Sequence, residues 1–315
     1  MARRWKGYGL NNGYGWVRTG CGGLREAVSW QPIQLSMGHD DVLIRVLAAP
    51  VHPSDLNQLE DRYPLRLPMG SVPGREGVGE VVAMGSHVTQ LSVGDRVIAL
   101  GQGAGWWATL CVKPAGELWR IPDDMPLAWG ALAAINGLTA VGLLSGVSAG
   151  QRVVQSGATS HVGQWLLQVA MQRGIEMAHW VRYPHQVAML QARGATDVAV
   201  WGDKGFSCLA DVAFDAIGGE MAGVLIRGLR DGGRYWVYGG MGRAPLSVPL
   251  SPLLFRGIQM GGFWRTQWMQ TLSFTVLQGH LLSLMGCVPP PTRGCEMTAL
   301  TQSWTPDTKW LLLSS

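Results

Sequence analysis

Between Arg152 and Gln164 the chain reads Arg-Val-Val-Gln-Ser-Gly-Ala-Thr-Ser-His-Val-Gly-Gln, and the apolar run Trp165-Leu166-Leu167-Gln168-Val169-Ala170 follows at once. A short β-branched segment that enters small residues and then a helical apolar pattern aims backbone N–H groups and a helix N-terminus at one point, which is the chemistry of holding a pyrophosphate. The same pattern also describes an ordinary strand-turn-helix corner. His161 stands inside the expected turn, where the pattern wants a small residue; a positive φ there would cost a side chain bearing Cβ roughly 1–2 kcal/mol. At the position about twenty residues beyond the glycine turn, where an acidic side chain would hold a ribose 2′-hydroxyl, the residue is Arg182. An arginine there favours a 2′-phosphate; it is equally the surface arginine of a helix start. Tyr238-Gly239-Gly240-Met241 ends another apolar run with paired glycines, which let backbone approach a flat ring closely or simply turn.

The elements that must position these residues are legible in the spacing. Between Ala128 and Gly240 strand and helix alternate: Arg152 to Gln155 and Glu176 to Val181 as strands, Val162 to Arg173 and His185 to Arg193 as helices, then Val198 to Trp201, Val212 to Ala216 and Arg234 to Tyr238 as short buried strands. Such alternation predicts an α/β unit with a parallel sheet covered on both faces, and ligands of such sheets collect at the carboxyl ends of the strands. From Gly15 to about Asp124 the chain instead carries short β-rich runs at Asp41 to Val46, Gly77 to Val82, Arg96 to Leu100 and Ala108 to Val112, with Gly94-Asp95 as a turn. That spacing predicts a compact antiparallel β domain.

At 315 residues the chain has room for two domains. A net charge of +4, with basic residues scattered rather than clustered, argues against a nucleic-acid partner. Cys21, Cys111, Cys208, Cys287 and Cys295 show no Cys-x-x-Cys spacing, so neither a structural zinc site nor a disulfide scaffold is expected, and a reducing compartment fits. No charged residue occurs from Leu127 to Gln151 or from Thr266 to Thr292, yet glycines and polar residues, and Pro289-Pro290-Pro291 in the second, favour buried helices over a membrane span. Arg3, Arg4, Lys6, Arg18 and Arg25 precede the first acidic residue, Glu26, a matrix-targeting composition interrupted by Gly7, Gly9, Gly13 and Gly15.

His52-Pro53-Ser54-Asp55-Leu56-Asn57, Gly74-Arg75-Glu76-Gly77-Val78-Gly79, Gly94-Asp95-Arg96-Val97 and Asn136-Gly137-Leu138-Thr139-Ala140 together resemble the medium-chain dehydrogenase/reductase superfamily over nearly the whole chain. The resemblance implies a GroES-like β-rich catalytic domain in residues 1–125, a Rossmann-type doubly wound nucleotide-binding domain in 126–262, and a return segment in 263–315 that completes the catalytic domain. Zinc-dependent members carry a Cys near the first stretch and a His before the glutamate of the second; here His52 and Arg75 stand there, so no zinc is expected. Tyr238-Gly239-Gly240-Met241 with Gly262-Phe263-Trp264-Arg265-Thr266-Gln267-Trp268 is most similar to the mitochondrial 2-enoyl thioester reductases of fatty-acid synthesis.

That closer resemblance implies NADPH contacts from Asn136, Thr139, Thr159, Ser160, His161, Val162, Gly163, Arg182, Tyr183, Tyr238, Gly239, Gly240, Met241, Phe263, Trp264, Arg265, Thr266 and Lys309. Tyr63 falls at the catalytic tyrosine, Trp264 and Trp268 would wall the acyl chain, and Arg66, Arg75 and Arg265 would attract the phosphates of coenzyme A or of the arm of acyl carrier protein. Trp268 and Tyr63 are, as bare residues, equally readable as packing. The reaction implied is NADPH-dependent reduction of a trans-2-enoyl thioester in the mitochondrion, with the cytoplasm as alternative, by a chain that pairs with itself. Pro184 replaces a second basic residue, and the stretches after Asp203 and Cys287 are short for the family. An NADPH quinone or enone reductase, and a catalytically inactive nucleotide-binding protein, are the rival readings.

Overall fold

The structure, a computed structural model, describes residues 11–101, 103–202, 209–303, 305 and 309–314. Its strands are β1 (Asn11–Arg18), β2 (Val28–Leu35), β3 (Asp41–Pro50), β4 (Val78–Met84), β5 (Arg96–Ala99), β6 (Leu110–Pro114), β7 (Leu118–Arg120), β8 (Val153–Gln155), β9 (Met177–Val181), β10 (Asp197–Val200), β11 (Ala210–Asp215), β12 (Leu229–Val237), β13 (Gln259–Gly262), β14 (Arg293–Glu296) and β15 (Trp310–Leu313). The chain forms two compact units, residues 1–134 with 291–315, and residues 135–290. Arg3, Arg4, Lys6, Asp203 and Cys208 lie outside the described residues.

In the first unit β1 and β2 pair antiparallel, with Trp16 opposite Trp30 and their rings edge to face at 5.6 Å. A second sheet runs β14-β15-β3-β4-β5-β7, with β6 on β3. The expected turn precedes β5: Gly94 adopts φ 94° and the Ser92 N–H donates to Asp95 Oδ2 at 2.7 Å. The core gathers Ile44, Val46, Val81, Val97, Trp106 and Trp107. Gly74, at φ 88°, lies so close under Trp107 that a Cβ would come within 2.3 Å of the indole, which fixes the backbone of the Gly74-Arg75-Glu76 stretch against the core. β14 and β15 were not anticipated; Trp310-Leu311-Leu312-Leu313 is too short to declare itself a strand.

The second unit is a six-stranded sheet in the order β10-β9-β8-β11-β12-β13, parallel at every pairing. Counted within the unit this is third, second, first, fourth, fifth, sixth, the doubly wound order, and the strand order reverses its sense between β8 and β11. β8 and β9 are buried along their whole length, as parallel strands covered on both faces must be. The apolar stretch Leu127–Ser145 is helical and 83% buried in its most apolar window, interrupted by a π-turn over Ala133–Gly137. Residues 263–290 belong to this unit, so the chain returns to the first unit only at Pro291. The cause is packing: Phe263 and Trp268 press on Gly142, and Leu284 presses on Gly137, where a Cβ would come within 2.6 Å of Phe263 and of Leu284 respectively.

At the point of reversal sits a fully buried carboxylate. Asp215 Oδ1 accepts from Ser156 Oγ at 2.5 Å, Ile217 N at 2.8 Å and Gly218 N at 3.1 Å, while Oδ2 accepts from Tyr235 Oη at 2.5 Å. Ser156 Oγ in turn accepts from Ala216 N at 2.9 Å. Burial, then Asp215, pushes the Tyr235 phenol up, so it remains a donor. Replacing Tyr235 with Phe is expected to lower unfolding free energy by about 1.5–3 kcal/mol, the range for a hydrogen bond to a charged group, read as a shift of the denaturant midpoint.

Candidate active site

After β8 the chain turns at Gly157, φ 58°, and enters the helix His161–Gln172. Ser160 caps that helix, its Oγ accepting from Gly163 N at 3.0 Å. His161 is therefore the first helical residue. The strain expected of it does not arise, since among the described residues only Asp61 and Arg243 are non-glycine with positive φ. Gly163 is required for a different reason: a Cβ there would sit 2.6 Å from the carbonyl oxygens of Gly157 and Ala158. Helix and turn thus cross backbone on backbone, and Gln155 Nε2 ties the crossing by donating to Gly163 O at 2.9 Å.

The other nucleotide-side residues predicted from sequence fall in this unit except Lys309, which belongs to the first. Arg182 and Tyr183 follow β9 and are exposed, the guanidinium 5.3 Å from the Tyr183 ring centroid. Both backbone N–H groups donate to Gln186 Oε1, at 2.9 and 3.0 Å, and Gln186 Nε2 donates to Thr159 Oγ1 at 3.3 Å. One glutamine therefore links the end of β9 to the turn after β8. Gly239 approaches the end of β11 closely, a Cβ there meeting Ala216 O at 2.8 Å, and the N–H of Met241 donates to Ala216 O at 3.0 Å. Burial, then Asp215, pushes the Tyr238 phenol up, while Ser160 pulls it the other way. Val162 is half-buried and Gly240 exposed. Asn136 and Thr139 are buried, Thr139 Oγ1 donating to Ile135 O at 2.6 Å.

Further along, Trp264 is exposed, while Arg265 and Thr266 are buried, with Arg265 Nη1 donating to Met269 Sδ at 2.8 Å. Trp268 is half-buried, 6.1 Å from Phe263 and 5.5 Å from His280 by ring centroids.

Tyr63 belongs to the first unit, on the loop after the helix Pro53–Leu59. Arg18, buried in β1, holds that loop at both ends: it donates to Leu59 O at 3.4 Å, to Asp61 Oδ2 at 2.8 Å and to Leu67 O. Gln58 Nε2 adds a bond to Leu65 O at 2.8 Å. Arg75 Nη1 donates to Tyr63 Oη at 2.9 Å. Behind it the helix start is a charged cluster, with His52 Nε2 2.7 Å from Glu76 Oε2, and Asp55 accepting from the N–H groups of His52 at 2.8 Å and Arg75 at 3.2 Å. Burial pushes the Asp55 carboxyl up, against the pull of His52 and Arg75. Among the described residues no group of three or more His, Cys, Asp and Glu side chains is placed to hold a metal ion. Arg75 and Arg265 are buried, so neither can reach out to phosphates in solvent as expected. Arg66 is exposed and borders a cavity of about 580 Å³ lined also by Leu35, Leu67, Cys111 and Val112.

Residues 38–123 match the alcohol dehydrogenase GroES-like domain. The mitochondrial enoyl-acyl-carrier-protein reductase of Arabidopsis thaliana is 34% identical over 258 residues, 77% of this chain and 68% of the relative. The chain belongs to the enoyl-acyl-carrier-protein reductase family. Two solved structures share its fold: the Etr1p/NADP/crotonyl-CoA complex, 22% identical at a TM-score of 0.88, and the mitochondrial 2-enoyl thioester reductase Etr1p/Etr2p heterodimer of Candida tropicalis, 23% identical at 0.87. Each aligns over 96% of this chain and 100% of the other.

Several residues that shape this enoyl reductase were missed in the sequence. Asp215, Ser156 and Tyr235 carry the switch point, and Arg18 with Asp61 carries the tyrosine loop. Gln155 and His179 form a buried polar pair between β8 and β9, Gln155 Nε2 donating to His179 Nδ1 at 2.9 Å. A polar residue inside an all-apolar strand, as in Val-Val-Gln and Met-Ala-His-Trp-Val, was the available signal.

Burial pulls the His179 imidazole down to about 4, against an ordinary 6.5. The unfolded chain then binds the extra proton first, so this contribution to stability is complete above about pH 6.5 and is lost as pH falls through about 4. It amounts to at most about 3 kcal/mol. Asp55, with its carboxyl pushed up, acts with the opposite sign in acid, so the measurement is a difference. A His179→Phe variant is expected to show a flatter unfolding free energy than the parent between pH 7 and pH 4; parallel curves would show that His179 is not the source.

Proposed function

We infer that the chain reduces the carbon–carbon double bond of trans-2-enoyl thioesters with NADPH, in mitochondrial fatty-acid synthesis, without a catalytic zinc. The observation that carries the cofactor choice is the exposed Arg182 guanidinium at the end of β9, linked through Gln186 to Thr159 in the turn after β8. The family relationship supports the substrate class. The cofactor fits the residues present: Gly163 and Gly239 occupy places where a Cβ would strike backbone oxygen, and a twelve-residue helix presents its N-terminus behind Gly157. Thr159 to Gly163 would hold the pyrophosphate, and Arg182 with Tyr183 the 2′-phosphate and adenine. Asn136, Thr139, Tyr238 to Met241, Phe263 to Thr266 and Lys309 would hold the remainder, a set drawn from the family pattern.

NADPH, when bound, supplies the hydride. The chain's own part is to bear the charge that appears on the thioester oxygen and to deliver a proton to the α-carbon. Tyr63 takes both tasks, on a loop that Arg18 ties down at each end. The thioester carrier is coenzyme A or acyl carrier protein, with Arg66 as the exposed cation for its phosphates.

A homodimer would cover the edge of β13, which among the described residues pairs on one side only, and the preceding helix exposes Leu250, Leu254 and a Phe255 that is 81% exposed. The inactive nucleotide-binding reading loses its main support with the helical placement of His161.

Purified chain is expected to consume NADPH with crotonyl-CoA and far less with a quinone; the reverse preference would favour the quinone reductase reading. Tyr63→Phe is expected to lower enoyl turnover by about 10²–10⁴-fold, the range for a general acid, with NADPH binding intact by fluorescence. Loss of Arg182 as Arg182→Ala is expected to weaken NADPH binding about 10- to 100-fold, the equivalent of one charge-assisted hydrogen bond, and to leave NADH binding unchanged.

A further inference from the structure

Arg75 is the buried charge that the scheme above does not use. It is 5% exposed, and its guanidinium carbon lies 4.9 Å from the Tyr63 ring centroid, with Nη1 donating to the phenol oxygen at 2.9 Å. Its Nε and Nη2 are buried and, among the described residues, make no hydrogen bond. Leaving a buried donor unmet costs about 1–3 kcal/mol, more for a charged group.

The polarity of the Tyr63–Arg75 bond is fixed by chemistry. A guanidinium has five donors and no acceptor, so the phenol oxygen must accept and the phenolic hydrogen must point away from Arg75. Once that hydrogen has left, the same contact, whose donor is already charged, joins cation to phenolate and gains the attraction between two opposite charges. The gain appears as the proton moves and is absent while substrate merely binds, so it acts on turnover and not on affinity.

We propose that Arg75 is a positioning residue for Tyr63, turning the phenolic O–H toward the substrate and bearing the charge left on the oxygen. The inference rests on Tyr63 being the acid. In the step, the Tyr63 O–H bond breaks and a C–H bond forms at the substrate α-carbon, whose electron pair makes the new bond. The O–H pair stays on the Tyr63 oxygen beside the guanidinium, and a solvent proton restores the phenol.

The test is a cycle of Tyr63→Phe, Arg75→Met and the double variant, with Arg75→Lys beside them, assayed with crotonyl-CoA in H₂O and D₂O. Arg75→Met is expected to lower kcat about 10- to 100-fold, within the span of acid–base effects, with KM for crotonyl-CoA and Kd for NADPH held within about threefold, well under the tenfold that 1.4 kcal/mol represents. The solvent isotope effect on kcat should rise, Arg75→Lys should recover part of the loss, and Arg75→Met should cost nothing further in the Tyr63→Phe background. An equal loss in both backgrounds, or a raised KM at unchanged kcat, overturns the role of Arg75 while leaving Tyr63 as acid. Parental turnover in Tyr63→Phe alone overturns the Tyr63 reading and the inference with it. Should Arg75→Met fail to melt cooperatively, Arg75→Lys decides: a lower kcat with a larger isotope effect supports the proposal, and parental values of both refute it.

Discussion

Burying the carboxylate of Asp215 at the place where the strand order reverses constrains everything on the nucleotide side. Taken out of water, that charge is tolerable only with its oxygens satisfied, and its four donors come from three places: the end of β8, the interior of β12, and two successive N–H groups of the turn after β11. None can move without exposing the charge to apolar surroundings. Ser156 is therefore held immediately before Gly157, and the turn that opens the helix His161–Gln172 starts from a fixed point. The closeness of Gly239 to Ala216 follows from the same anchorage, because the 216–218 turn cannot retreat.

The first unit solves a parallel problem with cations. Arg18 is buried where three carbonyl or carboxylate groups of the 59–67 loop converge, so the loop folds around it. His52, Asp55, Arg75 and Glu76 bring two acidic and two basic side chains into one buried cluster at a helix start. The tight fit of Gly74 under Trp107 keeps the backbone of that cluster in place.

The parallel sheet was readable because alternation of apolar strands and amphipathic helices leaves a period that no single residue can obscure. The observed strands β8, β9, β10 and β11 begin and end within two residues of the expected ones. Less readable was anything decided by burial of a polar group. Gln155, His179 and Asp215 interrupt apolar strands and look like noise until the sheet closes over them, and Arg75 and Arg265 look like surface charge until the chain covers them. The conditional cost at His161 does not arise, because Gly157 takes the positive φ and His161 begins the helix. Likewise the helices Arg265–Gln270 and Phe274–Ser283 follow the last nucleotide-side strand in sequence, and only the notches at Gly137 and Gly142 show where they seat.

β13 ends its sheet with one row of peptide groups facing outward, next to some of the most exposed large side chains on the surface. An edge of that kind is a template for any extended polypeptide that meets it. Charge at that edge, or a proline where a ladder N–H would otherwise point outward, is the usual guard against such pairing, and Gln259-Met260-Gly261-Gly262 carries neither.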